Sequence, residues 1–312
     1  MKHLALASIA LALSALPALA DLPQDAASAA ALGQVDFTYN RSRPTPSAAE
    51  RTPLQAKGVK LRDTILATPA LEDRRGFALH ASVVLEQPVA SRAGDPDMVW
   101  GGVISRRINV TRSQPDAAGR YPGDGEGPVL RYMINKTDKA LGADDSGFFT
   151  LPEQRQEGGG ILRFTRTGNA YTVITPAGLP GFVPVSIGEY LGATAAQLEK
   201  AGSPAQAAEM RQALAGLAPG ARTAPYCMTR AAPTANLSGR CAEPGARPMM
   251  RINSALGAGA GAASKARVIV LIVPQLGTIG DAQERRRLIA AASQLDMTAL
   301  QAMLGGAEGR GV

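Results

Sequence analysis

The sequence predicts an α+β fold: an antiparallel β-sheet core followed by C-terminal helices, with a disulfide-stapled irregular segment. Three observations carry that prediction. Segments rich in β-branched and aromatic residues, bounded by turn clusters, fill the middle of the chain. Helix-forming segments with start and stop signals gather after residue 186. Two cysteines, Cys227 and Cys241, sit in a stretch with little regular pattern.

The elements follow in order. Met1, Lys2 and His3 precede an apolar run from Leu4 to Leu16, and small residues lead to Ala20 before Asp21. That is the pattern of a secretory signal peptide (residues 1–20) with cleavage after Ala20. The run is shorter than the ~20 residues of a membrane-spanning helix. Position 21 is not cysteine, which argues against lipidation there. Residues 21–70 read as an Ala/Pro/Ser-rich N-terminal segment or linker. Asn40–Pro53 is the most linker-like part, Val35–Tyr39 a short strand, and Gly58–Leu66 a strand able to pair with it.

Residues 71–190 read as the antiparallel β-rich core. Phe77–Glu86, Met98–Val110 and Val129–Asn135 are its strands. Ile161–Pro176 is the clearest hairpin, with Leu162 and Phe164 alternating with Arg163 and Thr165 and a turn at Gly168-Asn169. Phe182–Ile187 adds a short strand.

Residues 191–312 read as a helical, basic portion packed on that core. Ser186–Ala201 and Pro204–Leu217 are helices, the second with Ser203 placed to cap it and Pro219-Gly220 to end it. Arg267–Val273 is a buried strand. Asp281 opens a last helix, with Glu284 placed for a capping box and an apolar stripe of Leu288, Ala292, Leu295, Ala299 and Met303.

Composition then narrows the chemistry. The 312 residues carry a net charge of +7 and only six Tyr, six Phe and one Trp. So few aromatics disfavour sugar clefts and single-strand nucleic-acid platforms. No stretch after the signal approaches eighteen apolar residues, so no transmembrane segment is expected in the mature chain. The Ala, Arg and Gly richness points to a high-GC bacterium and hence to the periplasm. In that oxidising compartment Cys227 and Cys241, fourteen apart, are expected to form a disulfide. Export removes nucleic acid from the expected partners.

His80 is the one histidine after the signal, so any histidine base must be this residue, and no histidine cluster for zinc exists. On a strand it shares a face with Ala78 and Ser82, which makes Ser82 or Ser105 its conceivable nucleophile. No Gly-x-Ser-x-Gly elbow or Ser-x-x-Lys pairing supports that chemistry. Gly257–Gly261 precedes a strand rather than a helix, which is the wrong order for a phosphate loop. The acidic pairs Asp95/Asp97, Asp124/Glu126 and Asp144/Asp145 lack an EF-hand spacing, and no metal or cofactor is expected.

The charge is unevenly placed. Residues 221–312 hold eleven basic and five acidic side chains, which supplies nearly the whole basic excess. Arg222, Arg230, Arg240, Arg247 and Arg251 surround the cysteines, and Arg285–Arg287 open the last helix against its dipole. Arginine grips phosphate and carboxylate bidentately. The expected function is therefore a non-catalytic binding or envelope-interaction protein whose Arg-rich C-terminal region meets an anionic partner, an envelope component or an acidic protein. Two alternatives stand beside it: an envelope-acting hydrolase using paired carboxylates or His80, and a structural subunit of an envelope complex.

Overall fold

A computed structural model describes residues 24–40, 52–86, 97–136, 147–178, 180–228, 241–242, 245–257, 265–275 and 282–304. It is a mixed α+β arrangement built on one large sheet. Eight strands run in the spatial order β1 (Val35–Tyr39), β2 (Phe77–Glu86), β3 (Met98–Arg107), β4 (Val129–Ile134), β12 (Ile269–Pro274), β8 (Asn169–Ile174), β7 (Ile161–Arg166) and β6 (Arg155–Gly158). Every neighbouring pair is antiparallel except β1–β2, which is parallel. A parallel pair needs a crossover rather than a hairpin, and a helix supplies it.

That helix is α2 (Pro53–Leu66), and it replaces the expected strand at Gly58–Leu66. The signals that decide it lie at its start. Thr52 and Gln55 form a reciprocal capping box, and Pro53 occupies the first turn. Leu54, Gly58, Leu61 and Ile65 then fall on one buried stripe at helical spacing, which overrides the β propensity of Val59, Thr64 and Ile65. Short α1 (Ala26–Ala30), capped by Asp25, precedes β1.

Strand alternation gives the sheet two faces. On one, Phe77, Leu79, Val83, Val103, Leu130 and Leu271 meet α2 and two C-terminal helices, α6 (Ala282–Ser293) and α7 (Met297–Leu304). Tyr132 is wholly buried here and donates its hydroxyl to the Ser82 carbonyl at 2.7 Å. Gly101 makes the space, because a Cβ there would lie 2.5 Å from the Tyr132 hydroxyl and 2.0 Å from the Ser82 oxygen.

The expected single last helix is two. Asp296 accepts from the backbone N–H groups of Thr298 and Ala299 and so caps α7 afresh. Leu300, not Ala299, is consequently the buried residue. Asp281 lies outside the described residues. Glu284 is 1 % exposed and receives Arg107 Nε at 3.2 Å and Arg287 at 3.3 Å. Arg287 also lies over the Phe77 ring at 4.0 Å.

The other face is covered along β12, β8 and β7. A second, smaller sheet of β5 (Phe149–Thr150), β9 (Phe182–Pro184), β10 (Cys227–Met228) and β11 (Arg247–Ile252) lies against it. Phe149, Leu151 and Phe182 pack on Leu162, Phe164, Val173 and Val270. Behind the small sheet, α3 (Ile187–Lys200), α4 (Pro204–Gly216) and α5 (Pro219–Thr223) enclose a third cluster around Val185, Leu191, Tyr226 and Met249.

Ser186 caps α3 through the Glu189 N–H, whereas Ser203 precedes α4 without a side-chain cap. Pro219, expected as a terminator, starts α5. The β7–β8 hairpin forms with its loop at Thr167-Gly168 rather than Gly168-Asn169. Both loop residues have positive φ, as the twist of a two-residue hairpin requires, and Asn169 pairs with Arg166.

Candidate functional site

The half of that second face carried by β1, β2, β3 and the near side of β4 is the candidate site. The side chains there follow from register. Asp36 stands beside His80, which pairs with Ile104, which pairs with Val129. In the next row Thr38, Ser82, Gly102 and Arg131 align, and beyond them Val84, Trp100 and Met133. Arg106 lies one step to the other side, opposite Ala78. Val84, Ile104 and Val129 join none of the three apolar clusters, and Trp100 reaches the covered half only at its margin. The result is a surface in which apolar groups alternate with two arginines and a histidine.

His80 Nε2 lies 3.2 Å from Thr38 Oγ1. Its basicity is pushed down, first by burial and then by the Arg106 charge, against an opposing pull from Asp36. At neutral pH it is a neutral imidazole. The positive charge of the surface therefore belongs to the arginines. The stem of Arg106 runs beside Gly123 and Gly127, where a Cβ would lie 2.4 Å from Arg106 Cβ and 3.3 Å from its Cγ respectively. That channel buries Arg106 Nε, which makes no hydrogen bond. Arg131 is exposed.

The sequence-predicted arginines are placed differently. Arg222 Nε and Nη2 donate to the Leu217 and Ala215 carbonyls at 3.1 and 3.0 Å, closing the end of α4. Arg251 Nε lies 2.6 Å from Glu189 Oε1, close although not aligned as a hydrogen bond. Arg247 lies 3.9 Å from Glu153. Arg211 pairs with Glu199 and so ties α4 to α3. Arg230 and Arg240 lie outside the described residues. Cys227 and Cys241 are joined as a disulfide, with their Cα atoms 5.0 Å apart.

The catalytic alternatives find little to work with among the described residues. Ser105 is on the opposite face from His80, buried in line with Leu79. Ser82 shares the His80 face but sits one row away, and the imidazole contact is to Thr38. Asp124 is paired with Arg112. No group of three or more potential metal ligands occurs among the described residues. Asp95, Asp144, Asp145 and the glycine-rich residues 258–261 lie outside them.

Sequence reasoning passed over Arg106 and Arg131. The available signal was an arginine on the same strand face as Ile104 and Trp100, and another between Val129 and Met133, where a covered strand places apolar residues. No known family model, curated protein or solved structure matches the chain. Among the described residues no helix is long and apolar enough to cross a membrane.

Proposed function

We propose that this is an exported, non-catalytic binding protein of the periplasm that meets an anionic, amphiphilic partner, a phosphate-bearing envelope lipid. The contact surface in this reading is the open face of β1–β4. One observation carries it: Arg106 and Arg131 stand on a sheet face with Trp100, Ile104 and Val84 and have no ion-pair partner among the described residues. By contrast, Arg222, Arg247 and Arg251 in the basic C-terminal region all have internal partners. Guanidinium groups supply bidentate contacts to phosphate, and the apolar residues between them suit an adjoining acyl chain. The disulfide fits an oxidising compartment.

The test is co-sedimentation of the full mature chain with vesicles containing lipopolysaccharide, against neutral vesicles, peptidoglycan sacculi and polyglutamate. Binding to the first that weakens with salt and is lost in Arg106→Glu/Arg131→Glu supports the reading. Preference for sacculi or polyglutamate assigns the surface to a carboxylate partner instead and overturns the lipid assignment. Retained lipid binding in the double variant overturns the surface.

A further inference from the structure

His80 stands within the open face, and its surroundings follow from register. Asp36 of β1 and Ile104 of β3 lie directly beside it, with Thr38 and Arg106 as diagonal neighbours on the same face. Diagonal neighbours of an antiparallel pair stand ~7–8 Å apart, room for one tetrahedral anion between an imidazole and a guanidinium. On its own strand the flanking residues of this face are the uncharged Ala78 and Ser82. Arg131 lies two strands away and one row along. The charges that act on the ring are those of Arg106 and Asp36, and the Asp36 carboxylate already accepts from Gln34 Nε2 at 3.0 Å.

The ring is anchored at one nitrogen. Nε2 lies 3.2 Å from Thr38 Oγ1, and no second hydrogen bond to the ring occurs among the described residues. A neutral imidazole has one donor, whereas an imidazolium has two. With Nε2–H given to Thr38 Oγ1, the charged ring has Nδ1–H left for a ligand.

We propose that His80 is a third ligand of the anion, beside Arg106 and Arg131, and that a phosphate docking between it and Arg106 recruits one proton onto the imidazole. This rests on the binding-face reading above and adds the regulation of that face. Without the anion, burial and the Arg106 charge hold the ring neutral. A phosphate set between the two groups offsets the repulsion from Arg106 and accepts Nδ1–H, and both effects favour the charged ring. Proton and anion therefore bind cooperatively, each strengthening the other by the same factor. Affinity rises as pH falls through the range just below about 6.5, the ordinary histidine value. An arginine-only site has no such dependence, because guanidinium does not titrate there.

From Asp21 onward His80 is the one histidine and Trp100 the one tryptophan, so each gives a single spectroscopic signal. The probe is dihexanoyl phosphatidylglycerol, a soluble short-chain lipid whose phosphodiester keeps its charge over this range. Trp100 fluorescence of the mature, untagged chain reports binding, and the imidazole proton resonances report the protonation of His80. The expected result is binding at least about threefold tighter at about pH 5.5 than at about pH 7.5, with the His80 titration midpoint moved upward by saturating lipid. His80→Gln is expected to lose the pH dependence. A saturable Trp100 response with an unmoved His80 midpoint overturns the proposal and leaves the binding face standing, as does an undiminished pH dependence in His80→Gln. No Trp100 response at either pH, or a response unchanged in Arg106→Glu/Arg131→Glu, overturns the binding-face reading and this proposal with it.

Discussion

The same sheet face is a sealed interior along β12, β8 and β7 and an open surface along β1, β2 and β3. On the sealed half, Val173, Val270 and Ile272 are buried beneath Phe149, Leu151 and Phe182. On the open half, the equivalent outward positions are held by Thr38, His80, Ser82, Arg106 and Arg131. The difference is written in strand composition. β12 is apolar at every position because both its faces are covered, whereas β2 sets His80 and Ser82 between the buried Leu79, Ala81 and Val83 because only one of its faces is. Where a face is left open, the residues placed on it are free to serve a ligand instead of the fold.

A charge inserted into each half breaks or sharpens that contrast most strongly. Val270→Asp places an unpaired carboxylate in the sealed half and is expected to remove more than about 4 kcal/mol of stability, measured by urea unfolding. Ile104→Asp in the open half is expected to cost about 1 kcal/mol. Equal losses would mean that the two halves are equally buried.

The helix-covered face supplies the next effect. Glu284→Ala leaves Arg107 and Arg287 without their shared buried carboxylate, an expected loss of about 3–5 kcal/mol. Cutting the staple with Cys227→Ser/Cys241→Ser is expected to cost about 3 kcal/mol, seen as a lower unfolding midpoint, and to leave the open face's binding intact.

The smallest effect is a pH slope. Folding lowers the basicity of His80 from an ordinary value of about 6.5. The unfolded chain therefore binds more protons just below that pH, and stability falls as pH drops through it. His80→Gln is expected to flatten this part of the profile between pH 7.5 and 5.5. An unchanged slope would mean that the histidine is as solvated as in the unfolded chain.

Much of the fold was legible because period-two alternation and turn residues act locally. Phe77–Glu86 emerges with the expected bounds, and the Ile161–Pro176 hairpin needs only a one-residue shift of its loop. The errors arose where a distant partner decides. Gly58–Leu66 is β-branched enough to read as strand until the cap at Thr52 and the sheet beneath Leu54 and Leu61 are considered. The last helix splits because Asp296 caps a new one, which apolar periodicity alone does not reveal.

The site was less legible than the fold. Net charge by region drew attention to residues 221–312, but charge counts do not show which arginines find internal acceptors. Arg222 spends its donors on helix carbonyls and Arg251 sits against Glu189. Arg106 and Arg131 differ because the small sheet packs over Leu162, Phe164, Val173 and Val270 and not over their positions, a long-range feature that strand composition alone does not carry.

The central claim is that the open sheet face, not the cysteine-stapled basic segment, contacts the anionic partner. One measurement bears on it directly: vesicle co-sedimentation at low salt of Arg106→Glu/Arg131→Glu beside Arg230→Glu/Arg240→Glu, each checked for wild-type unfolding behaviour. The account predicts that binding is lost in the first pair and kept in the second. Binding kept in the first pair and lost in the second would contradict it.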